Sequence, residues 1–132
     1  MKHHFATAIA LLLLAGTAGA EPRYALRGLF CNTAEQLQTA MALVGPARTL
    51  AMATQVANQD NIVCTLATDI RFEITHPARQ QLALLHGKSF MTYAGILVGV
   101  QVGKITRPIS PPLNIHFLPL DPVPKAALEE GA

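Results

Sequence analysis

The stretch that decides the fold is IVCTLATDIRFEI, residues 62–74. Apart from Thr68, apolar side chains occupy every second position from Ile62 to Ile74, and the residues between them become polar in the second half. A period of two is typical of a β-strand with one buried and one solvated face. The sequence therefore predicts a half-buried strand with Cys64 on its apolar face. Asp69, Arg71 and Glu73 are interpreted as its solvated face, with a small charged patch as the alternative.

Two helices are predicted ahead of this strand. The first opens at residues 31–35, where Asn32 suits the N-cap and Glu35 completes a capping box three positions later. A Gly-Pro pair ends it, and a second helix is predicted over residues 47–58. Each helix carries one apolar stripe at helical spacing, formed by Ala34, Leu37, Met41 and Val44 on the first and by Leu50, Ala53 and Ala57 on the second.

The second half of the chain is predicted to be rich in strands. The His-Pro pair at residues 76–77 is expected to end the first strand. Residues 80–85 fit either a strand or a helical turn. A strand is favoured because HGK at residues 86–88 then forms a hairpin turn into a long apolar strand at residues 89–106.

Prolines interrupt the last quarter of the chain. Residues 107–112, RPISPP, are expected to form a loop, because three prolines in five positions remove hydrogen-bond donors. Residues 113–118 are predicted to form a last strand at a sheet edge. Further prolines follow, and residues 121–132 are predicted to be a flexible tail.

These elements predict an α+β fold in which two N-terminal helices pack on one face of a three- to five-stranded antiparallel sheet. Residues 1–20 form a signal peptide in this interpretation and residues 21–30 an approach segment that is either extended or a short strand. Residues 31–120 form a single α+β domain, and residues 121–132 are the tail.

The N-terminus has the order of a secretory signal peptide. A basic start containing Lys2 precedes an apolar run at residues 5–15, and small residues then allow cleavage after Ala20. The alternative is an uncleaved N-terminal anchor. Cleavage predicts a periplasmic or secreted protein that begins at Glu21 and has no membrane span in its mature chain.

Composition excludes several classes of protein. The chain has 132 residues, of which 51% are hydrophobic and 14% charged, and this is not the composition of a disordered tail. A formal net charge of +2 argues against a nucleic-acid partner, which normally meets a strongly basic surface. Two cysteines are too few for a disulfide-dense mini-protein or a four-cysteine zinc site.

The cysteine pair is interpreted through the exported location. In an oxidising compartment, two cysteines in a small domain usually form a disulfide, so Cys31 and Cys64 are predicted to be bonded. A catalytic thiol or a metal ligand is the alternative. Neither cysteine belongs to a C-x-x-C motif or to a recognisable Cys/His signature.

Short motifs resemble a family of small, exported, uncharacterised bacterial proteins. GLFCNT at residues 28–33 is followed by Gln36, and the second cysteine of the chain is Cys64. This is similar to the family's G-x-F-C-x-T-x-x-Q start and its second Cys about 33 residues later. The similarity covers about residues 28–118, although Ala57 interrupts a Val-Asn pair of the pattern. The resemblance implies export and paired cysteines, and it implies no activity.

Motifs that carry chemistry are missing from the sequence. There is no G-x-S-x-G elbow, no phosphate-binding loop and no pair of histidines at helical zinc-ligand spacing. The sequence therefore predicts no catalytic, cofactor-binding or metal-binding residue. The first hypothesis is a non-enzymatic exported protein that binds another protein or an envelope component. Its oligomeric state stays open.

Two alternatives remain. One is a small hydrolase or thiol enzyme assembled by folding, and the other is a carrier of apolar ligands with a pocket beneath the helices. The enzyme would combine one of three histidines with an acid or a thiol, namely His76, His86 or His116 with Asp69, Glu73 or Cys64. The carrier would line its pocket with Met41, Met52 and Met91.

Overall fold

The computed structural model describes residues 21–85 and 87–130, without the side chains of residues 81–85, 129 and 130. The predicted signal peptide, residues 1–20, lies outside the described residues. Four strands and three helices follow one another along the chain: β1 (Tyr24–Cys31), α1 (Ala34–Ala42), α2 (Leu50–Ala57), β2 (Cys64–Leu85), β3 (Lys88–Val102), β4 (Ile105–Pro119) and α3 (Lys125–Glu130).

The four strands form a closed antiparallel barrel in the order β1-β2-β3-β4. The first half of β2 pairs with β1, and its second half pairs with β3. β3 then pairs with β4. The end of β4 returns to β1, from the pair Gly28–Pro119 to the pair Cys31–His116, and this return closes the barrel.

Strand β1 is covered on both faces. Leu26 and Phe30 belong to the core inside the barrel, where the Phe30 ring centroid lies 4.5 Å from that of Phe72 and 5.0 Å from that of Phe117. Such aromatic pairs contribute roughly 0.5–1.5 kcal/mol each beyond the burial of their area. The rest of the barrel core is aliphatic and comprises Ala67, Ile74, Leu97 and Ile115.

The other face of β1 packs against a layer made by α1 and α2. Leu29, with none of its surface exposed, contacts this layer from the strand. Leu37 and Met41 cover it from α1, and Leu50 and Ala57 of α2 lie at the margin of the same cluster. The stripes predicted for both helices therefore do face a core. It is a second core, separated from the barrel interior by β1.

A disulfide between Cys31 and Cys64 joins the two ends of the segment that leaves β1, forms α1 and α2, and returns to β2. Cys31 ends β1 and Cys64 begins β2, and the two residues are direct partners in the ladder. The predicted bond is confirmed. A loop of 33 residues closed in this way stabilises the fold by about 3–4 kcal/mol in the chain-entropy account.

The side chain of Asn58 reinforces the same junction. Its Oδ1 accepts hydrogen bonds from the backbone N–H groups of Val63 and Cys64, both at 2.9 Å. Its Nδ2 donates to the carbonyl oxygen of Cys64 at 2.7 Å. The residue that caps the C-terminus of α2 therefore also holds the start of β2 in place.

Both helices begin later than predicted. The N-cap of α1 is Thr33, whose side chain accepts from the backbone N–H of Gln36 at 3.1 Å, while the Gln36 side chain accepts from the Thr33 N–H at 3.0 Å. Asn32 is not available as N-cap because its N–H still extends the β1–β2 ladder, donating to Val63 at 3.0 Å. Helix α2 starts after a turn in which Gly45 and Arg48 exchange backbone hydrogen bonds.

The predicted arrangement of two N-terminal helices on one face of a sheet is wrong. Strand β1 precedes both helices, and the sheet closes into a barrel. The predicted approach segment, residues 21–30, supplies most of this strand. Its sequence lacks the alternation of a half-buried strand because both faces are covered at residues 28–31, where four consecutive residues are buried. The chain still combines helices with antiparallel strands.

The His-Pro pair does not end a strand. β2 continues through it as a bulge, since Thr75 pairs with Ile96 and the next pair is Ala78–Ala94. His76 has a positive φ of 52°, which bends the strand. Pro77 lies inside the bulge, at a position where the β2–β3 ladder needs no N–H donor. Residues 80–85 form a strand, as favoured.

The proline-rich segment is part of β4 rather than a loop. Pro108 pairs with Gly99, and the next pair toward the C-terminus is Leu113–Leu97, so the residues between them lie in a break of register. Among the residues that the structure describes, β1 pairs with residues 116–119 of β4 and no strand pairs with the outer edge of its earlier part. Prolines are tolerated at both kinds of position because no N–H is needed there.

Part of the predicted flexible tail is ordered. Residues 125–130 form α3, which packs on β2, and Ala127 is almost fully buried. The backbone N–H of Ala127 donates to the carbonyl of Pro124 at 3.0 Å. Pro122 and Pro124, which follow β4, exclude a regular strand there and leave the segment free to turn back onto the barrel.

The closure of the barrel at Gly28 yields a first prediction. A Cβ at this position would lie 2.5 Å from the carbonyl oxygen of Leu118, which is backbone and cannot move aside cheaply. We expect Gly28→Ala to lower the free energy of unfolding by about 1–3 kcal/mol, as overpacking does. Urea denaturation followed by circular dichroism measures this change.

Gly45→Ala is the matched control. A Cβ at Gly45 meets nothing within 4 Å, so the same substitution should change stability by no more than about 0.5 kcal/mol, or raise it slightly. Equal effects of the two substitutions would contradict the close approach of β1 and β4.

Candidate functional site

A concave surface lies between the helical layer and the end of the barrel. It is an open groove of about 510 Å³, within the range of small-molecule sites in proteins. Its lining is almost wholly apolar, and Lys88 is the one charged residue among the described residues that form it. The other lining residues are Met41, Val44, Gly45, Pro46, Leu50, Phe90, Leu118, Pro119 and Leu120.

The helical wall of the groove is fixed by the connection between α1 and α2. Gly45 and Arg48 exchange two backbone hydrogen bonds, at 3.0 and 3.1 Å, and hold a tight turn around Pro46. The guanidinium of Arg48 also donates to the carbonyl of Leu43 at the C-terminus of α1, at 3.2 Å. This contact satisfies a carbonyl that the helix leaves without a partner.

The strand wall combines the start of β3 with the end of β4. Phe90 and Leu118 pack against the same core cluster as the helices, so the floor of the groove is continuous with that core. Beyond β4, the backbone N–H of Leu120 donates to the carbonyl of Arg27 at 2.9 Å. The wall therefore continues beyond Gly28–Pro119, the end pair of the β1–β4 ladder, and is still hydrogen-bonded to β1.

An ion pair between Arg27 and Asp121 anchors this wall. The Arg27 Nη2 lies 2.7 Å from the Asp121 Oδ1, and the Arg27 backbone N–H donates to the Asp121 Oδ2 at 3.0 Å. The side-chain and backbone hydrogen bonds from Arg27 lower the pKa of Asp121 from 3.8 to about 2. The same hydrogen bond raises the pKa of Arg27. Neither residue was singled out from the sequence.

The three methionines proposed for a pocket have different positions. Met41 is nearly fully buried and lines the groove. Met52 is 47% exposed on α2 and does not line it. Met91 pairs with Leu82 in the β2–β3 hairpin and is likewise outside the lining. The other aromatic and aliphatic residues of the groove were missed because they lie far apart in the sequence.

The residues proposed for a catalytic site have separate partners. His76 Nε2 lies 2.9 Å from the Glu21 carboxylate, and His116 Nδ1 lies 3.1 Å from the Gln80 amide oxygen. Glu73 faces Arg23 at 3.4 Å. His86 lies outside the described residues, and Asp69 is exposed. Cys64 is bonded to Cys31, so its sulfur is not a free thiol.

A second, smaller concavity lies beside the bulge of β2. It measures about 290 Å³ and is lined by Pro22, Tyr24, His76, Pro77 and Ala127, so α3 covers one side of it. In residues 21–85 and 87–130, no group of three or more His, Cys, Asp or Glu side chains is arranged to hold a metal ion. The larger, apolar groove is therefore the better candidate site.

The disulfide is consistent with an oxidising, exported location. Within the part of the chain that the structure describes, no helix has the length and apolar character needed to cross a membrane. No family model matches the chain, and no curated protein or solved structure is significantly similar to it. The resemblance to small exported bacterial proteins consequently stays a prediction.

The ion pair at the groove predicts a pH-dependent effect of Asp121→Asn. The folded-state pKa of Asp121 lies below its unfolded value, so its stabilising contribution is present above about pH 4 and is lost as pH falls through about 2. We expect the variant to melt at a lower temperature than the wild type at pH 7, with the difference vanishing near pH 2. Thermal unfolding between these pH values measures it.

Asp60→Asn is the control, because Asp60 is an exposed turn residue between α2 and β2. This variant should follow the wild type throughout the same pH range. An Asp121→Asn curve that also follows the wild type at pH 7 would contradict a stabilising role of the ion pair.

Proposed function

We propose that this protein is a small exported binding protein that holds an apolar ligand in the groove between its helical layer and its barrel. The groove itself carries the proposal, since it is concave, of ligand size and lined almost entirely by hydrocarbon. Burial of apolar surface would supply the binding energy, at about 25 cal/mol per Å² removed from water.

Export is part of the same proposal. The N-terminal pattern predicts a cleaved signal peptide, and the disulfide supports a periplasmic or secreted location after cleavage at Ala20. The walls of the groove are held in place without a ligand, which favours a preformed binding site over one that forms only when the ligand binds. Arg48 holds one wall and the Arg27–Asp121 pair holds the other, so little conformational freedom is lost when a ligand enters.

A fluorescence titration tests the proposal. The protein purified from an exporting host is titrated with N-phenyl-1-naphthylamine, a neutral apolar probe whose emission rises when it leaves water. We expect saturable binding with one site per chain. Leu120→Asn should weaken binding by about fivefold, because Leu120 lines the groove and loses part of its apolar contact with the probe.

Leu113→Asn provides a matched control. Leu113 is 47% exposed and Leu120 is 45% exposed, both belong to the same region of the chain, and only Leu120 lines the groove. The Leu113 variant should bind the probe as the wild type does. The absence of saturable binding, or an equal loss in both variants, would contradict the proposed function.

A further inference from the structure

We infer that the ligand of the groove is a single-chain amphiphile with a carboxylate head group, whose hydrocarbon chain lies in the groove and whose head binds Lys88. The inference rests on the proposed function and adds the chemical class of the ligand. The juxtaposition that carries it is the cation of Lys88 in a lining that is otherwise apolar among the described residues.

Lys88 is positioned by the β2–β3 hairpin. It is the first residue of β3, and its backbone pairs with Leu85 across the turn. Gly87, with a φ of 77°, supplies the left-handed conformation that the turn requires. Two residues later, Phe90 has its side chain on the same side of the strand and also lines the groove. The ammonium is therefore attached to a fixed wall.

The ammonium of Lys88 is available to a ligand. It is exposed, and its side chain makes no hydrogen bond or ion pair with the residues that the structure describes. Asp121, which follows the lining residue Leu120, forms its ion pair with Arg27, through both the side chain and the backbone N–H of that residue. The cation of Arg48 is likewise directed to a carbonyl of α1.

The chemistry of the groove selects the head group. A wholly apolar ligand would leave a lysine in the lining without a function, whereas a cationic amphiphile would be repelled by it. A lysine ammonium is a compact point charge, which suits a carboxylate of one negative charge. Phosphate groups are usually held by several donors or by the fork of an arginine, and the described lining offers neither.

Competition with matched ligands tests the inference. Dodecanoate, dodecanol and dodecylamine share one hydrocarbon chain and differ in head-group charge, and each is used to displace N-phenyl-1-naphthylamine at pH 7.5. The wild type should bind dodecanoate about tenfold more tightly than dodecanol, as expected for a charge-assisted hydrogen bond, and dodecylamine most weakly. Salt should reduce the preference for the acid.

Two lysine substitutions test whether Lys88 causes the preference for dodecanoate over dodecanol. Lys88→Met removes the ammonium and keeps an unbranched apolar side chain one atom shorter, so it should abolish the preference for dodecanoate and leave dodecanol affinity unchanged. Lys104→Met is the control because Lys104 lies in the exposed turn between β3 and β4 and does not line the groove. It should retain the full preference.

The outcomes separate the two proposals. Equal affinities of wild type for dodecanoate and dodecanol, or an unchanged preference in Lys88→Met, would overturn the inference and leave the apolar groove as a ligand site. If none of the three amphiphiles binds and the fluorescent probe does not bind either, the proposed function itself fails. If dodecylamine binds most tightly of the three, the inference is also overturned, because a cationic head group needs a negatively charged partner and Lys88 is positively charged.

Discussion

The bond between Cys31 and Cys64 is the constraint on which the rest of the molecule depends. It joins the last residue of β1 to the first residue of β2, so everything between them leaves and re-enters the barrel at one point. The two helices in this excursion are short, with nine and eight residues, and helices of such length are marginal without packing. Held at their base, they cover the outer face of β1 and form one wall of the groove.

The sequence predicted local elements better than their arrangement. Alternation identified the first part of β2 as a strand, although its apolar residues face two cores, Cys64 and Leu66 the helical layer and Phe72 and Ile74 the barrel interior. Apolar spacing identified both helices with their buried faces. Strand β1 was one of two possibilities for residues 21–30, because the consecutive burial of residues 28–31 removes the alternation that identifies a strand. The prolines of β4 and the bulge at His76 were interpreted as breaks, since the sequence cannot show which strand edges need hydrogen-bond donors. The prolines of β4 and the bulge at His76 both lie in strands that close the barrel, so the closure was missed together with them.

The candidate site was less predictable than the fold. A pocket beneath the helices was one of the alternatives, and Met41 belongs to it. The remaining wall comes from residues near 88–90 and 118–120, and its position depends on barrel closure and on the Arg27–Asp121 pair. An ion pair between residues 94 positions apart leaves no signal in a single sequence. The disulfide was predictable because the sequence has two cysteines, which allow one pairing, and an N-terminal pattern that predicts export.

Hydrogen–deuterium exchange before and after reduction of the disulfide tests the central claim most directly, namely that this bond holds the helical wall of the groove. The account predicts that reduction accelerates amide exchange in α1 and α2 by at least about tenfold, a local opening, while the β2–β3 ladder keeps its protection. Unchanged protection of the helices, or an equal acceleration in every element, would contradict it.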